Sequence, residues 1–201
     1  MSSGLPLRLG VLGSGKGSNL SSIFHAIGER RVPAEIRVVI SDVSDAGILG
    51  IARAHGVRAE HVAPAGNSRA RVGPESERRM VEILREENVD LVILAGFMRV
   101  VGRQLLDAFH RRMINIHPSL LPRHPGLQAW RQALEAGDSV SGCTVHHVDA
   151  GIDTGEIIAQ SEVAVLPDDT AESLHARIQA AEHALYPEVI ARFARDRSFA
   201  V

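Results

Sequence analysis

The sequence is poor in thiols and in lysine, and it has no long apolar run. A single cysteine, Cys143, excludes an intramolecular disulfide and fits a reducing compartment. No stretch approaches the ~20 apolar residues that a membrane-spanning helix needs. The apolar part of the N-terminal MSSGLPLRLGVLGSG is too short and too glycine-rich for a secretory leader. Neither sign of charge dominates: 22 Lys and Arg face 24 Asp and Glu, a formal net charge of -2. The basic field that nucleic-acid binding uses is therefore missing. Repeats and low-complexity tracts are also missing. These absences predict a cytoplasmic protein with no nucleic-acid partner and no membrane. Lysine occurs once, at Lys16, and every other basic residue is arginine. Genomic base composition accounts for that bias, yet the lone lysine falls inside a glycine loop.

The chain has 201 residues, 45% of them hydrophobic, enough for one domain with a sizeable core. Apolar runs and helical spacing alternate along the first half. Strands are predicted at Leu7–Leu12, Glu35–Ile40, Val57–Val62 and Leu91–Ala95, with helices at Asn19–Gly28, Ala46–His55 and Glu75–Glu87. Pro64–Pro74 reads as a loop. Such alternation predicts a doubly wound, mostly parallel sheet with right-handed crossovers. The second half is more mixed. A short strand is predicted at Met113–His117, then a strand pair, Gly137–Val148 and Glu156–Val165, joined by the turn-rich DAGIDTG. A long C-terminal helix follows over Thr170–Ala194. Thr170 is its N-cap, Glu172 lies in its first turn, and Leu174, Ile178, Ala181, Leu185, Val189 and Phe193 form its apolar stripe. The expected class is α/β, in one domain spanning 1–201, with a phosphate-binding half at about 7–110 and a catalytic half at about 111–201.

GSGKGSN (13–19) follows the first strand and opens the first helix. Backbone N–H groups at a helix N-terminus suit a phosphate. A P-loop fails here because Gly17 stands where a hydroxyl should hold Mg²⁺. A dinucleotide fingerprint fails because Ser18 stands at its third glycine. A small molecule bearing a phosphate is the remaining ligand class.

In NIHPSLLP (115–122), Asn115 and His117 lie two apart on a strand, so they share a face. Pro118 ends the strand. Ligands of open α/β sheets sit beyond such strand ends. An amide and an imidazole can both donate to one developing oxyanion. A neighbouring carboxylate would favour the imidazolium and raise its pKa. Asp42, Asp107, Asp149 and Asp153 are the available carboxylates, and Asp153 lies in a glycine-flanked loop after an apolar strand. Other chemistries fit less well. Cys143, His146 and His147 are a poor zinc motif. DAGIDTG fails as a calcium loop, with Thr154 at its sixth position and Gln160 at its twelfth. No base is evident for a Cys143 nucleophile.

GSGKGSN, AGFMR (95–99), NIHPSLLP, PGLQAWRQAL (125–134) and GIDTGEIIAQ (151–160) together resemble the phosphoribosylglycinamide formyltransferase family, in order and over nearly the whole chain. That resemblance implies a Rossmann-like formyltransferase fold and 10-formyltetrahydrofolate as cosubstrate, with no metal. It implies phosphoribosylglycinamide as the acceptor and a monomer or homodimer. By the same resemblance Gly17, Ser18 and Asn19 hold the ribonucleotide phosphate, with Pro118 and Glu182 near the glycinamide. Asn115, His117 and Asp153 match the catalytic residues, Asp153 pairing with the histidine. Met98, Arg99, Val100 and Val101 match the folate pocket, which Asn115 also borders. Arg69, with Arg71 as a rival, matches the contact to the folate tail. Related formylfolate enzymes are the alternatives. A hydrolase would carry an extra N-terminal domain, and a methionyl-tRNA formyltransferase a basic C-terminal one. A non-catalytic nucleotide-binding module would have no use for the three polar residues together.

Overall fold

The structure, a computed structural model, describes residues 5–65 and 70–196. The elements run β1 (Leu7–Leu12), α1 (Ser18–Gly28), β2 (Ala34–Ser41), α2 (Gly47–Ala54), β3 (Arg58–His61), α3 (Pro74–Glu86), β4 (Leu91–Leu94), α4 (Arg103–Ala108), β5 (Met113–His117), α5 (Ala129–Glu135), β6 (Val140–His147), β7 (Ile157–Ala164) and α6 (Ala171–Asp196). Seven strands form one sheet in the order β3-β2-β1-β4-β5-β6-β7. The first five in that order pair in parallel, and β5-β6 and β6-β7 pair antiparallel.

Two apolar layers cover the sheet. One joins the buried faces of α1, α2 and α6 to Leu9, Val11, Ile114 and Ile116. The other joins α3 and α4 to Leu12, Val92, Leu94 and Met113. The unbroken run Leu91–Leu94 is buried throughout, as a strand covered on both faces must be. The chain winds outward from β1 to β3, then returns through α3 to place β4 on the other side of β1. The carboxyl ends of β1 and β4 thus flank the reversal point, where such sheets open a crevice.

The alternating first half and the strand pair β6-β7 follow the sequence expectation to within two residues, apart from the start of β6. Two elements do not. Helices α4 and α5 went unpredicted because six and seven residues carry too few turns for a periodicity to register. Helix α6 begins as expected. The Ser173 N–H donates to Thr170 Oγ1 at 3.2 Å, and the Thr170 N–H donates back to Ser173 Oγ at 3.0 Å, a reciprocal cap. From the buried face of this helix, the Tyr186 hydroxyl reaches the carbonyls of Leu94 and Ile114 at 2.9 and 3.0 Å. That contact fastens α6 against β4 and β5 where the site begins.

Candidate active site

Strand alternation puts Ile114 and Ile116 into the α6-side core and leaves Asn115 and His117 on the opposite face. Register with the antiparallel neighbour then sets His146 directly across from Asn115. The His146 Nδ1–H donates to its neighbour's carbonyl, His147 O, at 2.8 Å. Its Nε2 lies 3.1 Å from the Asn115 Nδ2 amide, and this contact fixes the direction of that amide. His146, weighed from sequence only as a metal ligand, is thus part of the site. The strand pattern hinted at it, since His146 alternates with the core residues Cys143 and Val145. The register that makes it Asn115's partner is not visible in sequence.

Among the four carboxylates, the fold brings Asp153 to His117. Asp149 accepts from the Gly151 N–H at 3.0 Å and from the Thr154 hydroxyl at 2.7 Å, folding DAGIDTG into an Asx-type turn. Asp153 takes a left-handed backbone, φ 55, which a short acidic side chain tolerates. Its Oδ2 lies 3.3 Å from His117 Nδ1 and accepts the Gly126 N–H at 2.8 Å. Its Oδ1 lies 3.6 Å from His146 Nε2. Asp42 and Asp107 are elsewhere: the first is bound to Ser14 and Arg99, the second is exposed beside Arg103.

The protonation states differ from the sequence expectation. Burial pushes the His117 imidazole below the ordinary histidine value, and the Asp153 charge and the His124 carbonyl oppose this without overcoming it. His117 therefore favours its neutral form, not the imidazolium that a carboxylate neighbour alone would give. Its Nε2–H donates to His124 O at 2.9 Å, so Nδ1, facing Asp153, is the nitrogen that takes up or releases a proton. Burial also pushes Asp153 upward, but the His146 ring, the charge that His117 carries when protonated and the Gly126 N–H outweigh it and hold the carboxyl below its usual range. Asp153 is ionised at neutral pH.

The glycine loop forms the second part of the site. Gly17 is the N-cap of α1 with φ 86, and no side chain caps the first turn. A Cβ there would lie 2.9 Å from Ile48 Cα and 2.8 Å from Ile51 Cδ1, so both the backbone and the packing on α2 require glycine. The first-turn N–H groups of Ser18 and Asn19 have no intrahelical acceptor. The Asn19 side chain is buried and donates to Glu182 Oε2 at 3.0 Å, while its own Oδ1 has no hydrogen-bond partner. Burial pushes Glu182 up to about 7, against the Asn19 hydrogen bond. Pro118, half-buried, follows His117 directly after β5.

Segment 97–101 is tied to that loop. Ser14 Oγ accepts the Met98 N–H at 2.9 Å and donates to Asp42 Oδ1 at 2.6 Å. The Arg99 guanidinium donates to Asp42 Oδ2 at 2.6 Å. Met98 is exposed and Val101 is in the core, so of the two only Met98 presents its side chain. Val100 bridges to Arg71. Arg69 lies outside the described residues. Cys143 is buried, and burial, followed by the Glu182 charge, pushes its thiol up to about 12. It is no nucleophile at neutral pH.

Residues 7–190 match the formyl transferase family. The chain is 45% identical over 192 residues to the trifunctional purine biosynthetic protein adenosine-3 of Drosophila pseudoobscura pseudoobscura, covering 93% of this chain and 14% of that protein. It is 41% identical over 189 residues to the phosphoribosylglycinamide formyltransferase of Escherichia coli (strain K12), covering 93% of this chain and 87% of that one. The crystal structure of glycinamide ribonucleotide transformylase 1 from Symbiobacterium toebii superposes with a TM-score of 0.91 at 50% identity, covering 97% of this chain and 91% of that one.

Proposed function

The chain belongs to the formyl transferase family, and from that premise we propose that it transfers the formyl group of 10-formyltetrahydrofolate to the amine of 5'-phosphoribosylglycinamide, a step of purine biosynthesis. The convergence of Asn115, His117 and Asp153 at the end of β5, with Asp153 Oδ2 3.3 Å from His117 Nδ1, carries this reading. The family relatives named above, one of which is a phosphoribosylglycinamide formyltransferase that this chain nearly spans, support the choice of substrates.

The substrate amine attacks the formyl carbon on N10 of the folate. The new C–N bond forms, the carbonyl oxygen becomes negative, and the C–N10 bond then breaks. The amine loses a proton and N10 gains one. Asn115, its amide aimed by His146, donates to the oxyanion; one such donor is worth roughly 10²–10³ in rate. His117 begins neutral. Negative charge developing beside it raises its affinity for a proton at Nδ1, next to ionised Asp153. The proton that the amine loses is taken up there, so the imidazolium forms as the oxyanion does, when it is most stabilising, and the proton is released toward N10 as the C–N10 bond breaks. Asp153, acting through a water, relays protons between amine and N10.

The N-terminus of α1, with Gly17, Ser18 and Asn19, holds the ribonucleotide phosphate. Glu182, whose described partner is the Asn19 amide alone, offers carboxylate lone pairs to ribose hydroxyls, with Pro118 nearby. Met98, Arg99, Val100 and Val101 border the folate, the last through its backbone, with Arg69 or Arg71 toward the folate tail. Holding two substrates together supplies much of the rate. The protein works in the cytoplasm as one formyltransferase unit, monomeric or homodimeric; among the described residues no helix is long and apolar enough to cross a membrane.

Mixing the purified protein with 10-formyltetrahydrofolate tests the proposal. An absorbance change that requires the ribonucleotide is expected. Loss of formyl without the ribonucleotide would make the protein a hydrolase, and no change in either mixture would remove the activity.

A further inference from the structure

Both members of the His117–Asp153 pair are held by one short stretch of backbone. The His124 carbonyl accepts the His117 Nε2–H at 2.9 Å, and two residues later the Gly126 N–H donates to Asp153 Oδ2 at 2.8 Å. The first contact fixes which nitrogen of His117 carries its resting proton. The second helps keep Asp153 ionised. This stretch has an unusual conformation. His124 has φ 54 and Gly126 φ 82, and a left-handed backbone is uncommon at a residue other than glycine. It persists only when the surroundings impose it.

The surroundings here are a side chain from beyond the next helix. His124 Nε2 lies 2.7 Å from Asp138 Oδ2, and the Arg123 guanidinium donates to Asp138 Oδ1. The Asp138 side chain is 8% exposed and that of His124 17%, so water competes little for the contact. Asp138 is itself firmly placed. Gly137, φ 69, closes α5 by donating to Leu134 O at 3.0 Å, and the Asp138 N–H reaches Ala133 O at 3.1 Å, a Schellman motif. The Ser119 hydroxyl, donating to Arg123 O at 2.6 Å and lying 3.2 Å from His124 O, braces the stretch from the catalytic side.

We propose that Asp138 is a positioning residue: through His124 it sets the carbonyl that orients His117 and the N–H that holds Asp153. It touches no reacting group, so its influence travels through backbone 123–126. This rests on the reading of His117 and Asp153 as reacting groups, and its test is separable from theirs.

The variants are Asp138→Asn, Asp138→Glu and His124→Gly. The last keeps the left-handed backbone available while removing the anchor, and it decides the matter if Asp138→Asn does not fold. Nitrogen-15 NMR of the His117 ring reads the tautomer without any turnover. In the wild type a single Nε2–H form is expected. Asp138→Asn and His124→Gly should show mixed tautomers and an altered pH profile of kcat. Their kcat should be roughly 10-fold lower with KM for both substrates within about 2-fold, because misplacement of a catalytic group acts on the transition state. Asp138→Glu should recover part of the loss. Unchanged His117 ring signals and an unchanged kcat profile, with only a lower melting temperature, would overturn the proposal. If His117→Ala and Asp153→Asn turn over normally, the catalytic reading fails instead, and the ring signals still decide what Asp138 does.

Discussion

Glu182 faces two opposed demands. Burial favours its neutral acid, while its place beside the Asn19 amide suits a carboxylate that receives hydrogen bonds. The folded value of about 7 against an ordinary 4.5 means that the folded protein prefers the proton on. This group's contribution to stability is full below about pH 4.5 and is lost as pH rises toward 7, a loss of about 3 kcal/mol. Glu182→Gln should therefore raise the melting temperature at pH 8 and leave it nearly unchanged at pH 4.5. It should also raise KM for the ribonucleotide, and the wild-type KM should fall as pH rises through 7. A Gln variant with unaltered KM at pH 8 would place Glu182 outside the substrate's reach. Asp153→Asn has a different signature. It should reduce kcat by about 10²–10⁴ with a small change in melting temperature at neutral pH. A kcat close to wild type would refute its role. Sequence alone could place Asn115 and His117 on one face, because a strand alternates with period two. Residue spacing could not choose among Asp42, Asp107, Asp149 and Asp153, because that choice depends on where a loop returns in space; the family resemblance did single out Asp153, which the structure places 3.3 Å from His117.

At the scale of elements, the N-terminus of α1, proposed above as the phosphate site, also has a structural duty. Substitution of Gly17 by valine, which looks from sequence like a test of phosphate binding, meets Ile48 Cα and a φ of 86. Gly17→Ala should already destabilise the protein by about 1–3 kcal/mol, read as a lower urea midpoint, before any effect on KM is interpretable. An unchanged midpoint would mean that α2 can shift away from the loop. The long elements were legible because apolar residues repeat over several turns. Helices α4 and α5 were not, although the turn that closes α5 carries Asp138, the residue that anchors His124. The His117 charge state also escaped sequence reading, since burial, which outweighs the Asp153 charge, is a property of packing.

Across the whole molecule, the site draws on the glycine loop after β1, the 97–101 segment after β4, the end of β5 and the turn before β7. A ligand that bridges these segments stabilises the folded state alone. Ribonucleotide at about 100 times its Kd should add about 2.7 kcal/mol, visible as a concentration-dependent rise in melting temperature. The absence of any rise would mean that the phosphate does not bind at α1. Hydrophobic periodicity, the glycine loop and the stop at Pro118 by themselves determined the α/β class, the parallel first half and the strand end that bears Asn115 and His117. These follow from local chemistry, in which each residue constrains only its near neighbours. Tertiary structure alone decided that His146 aims Asn115, that His117 rests neutral and that Asp138 reaches back to His124, and it supplied the loop return that brings Asp153, which only the family resemblance had singled out, to His117. Those outcomes depend on register, burial and loop return, which arise only when segments far apart in sequence exclude water from one another.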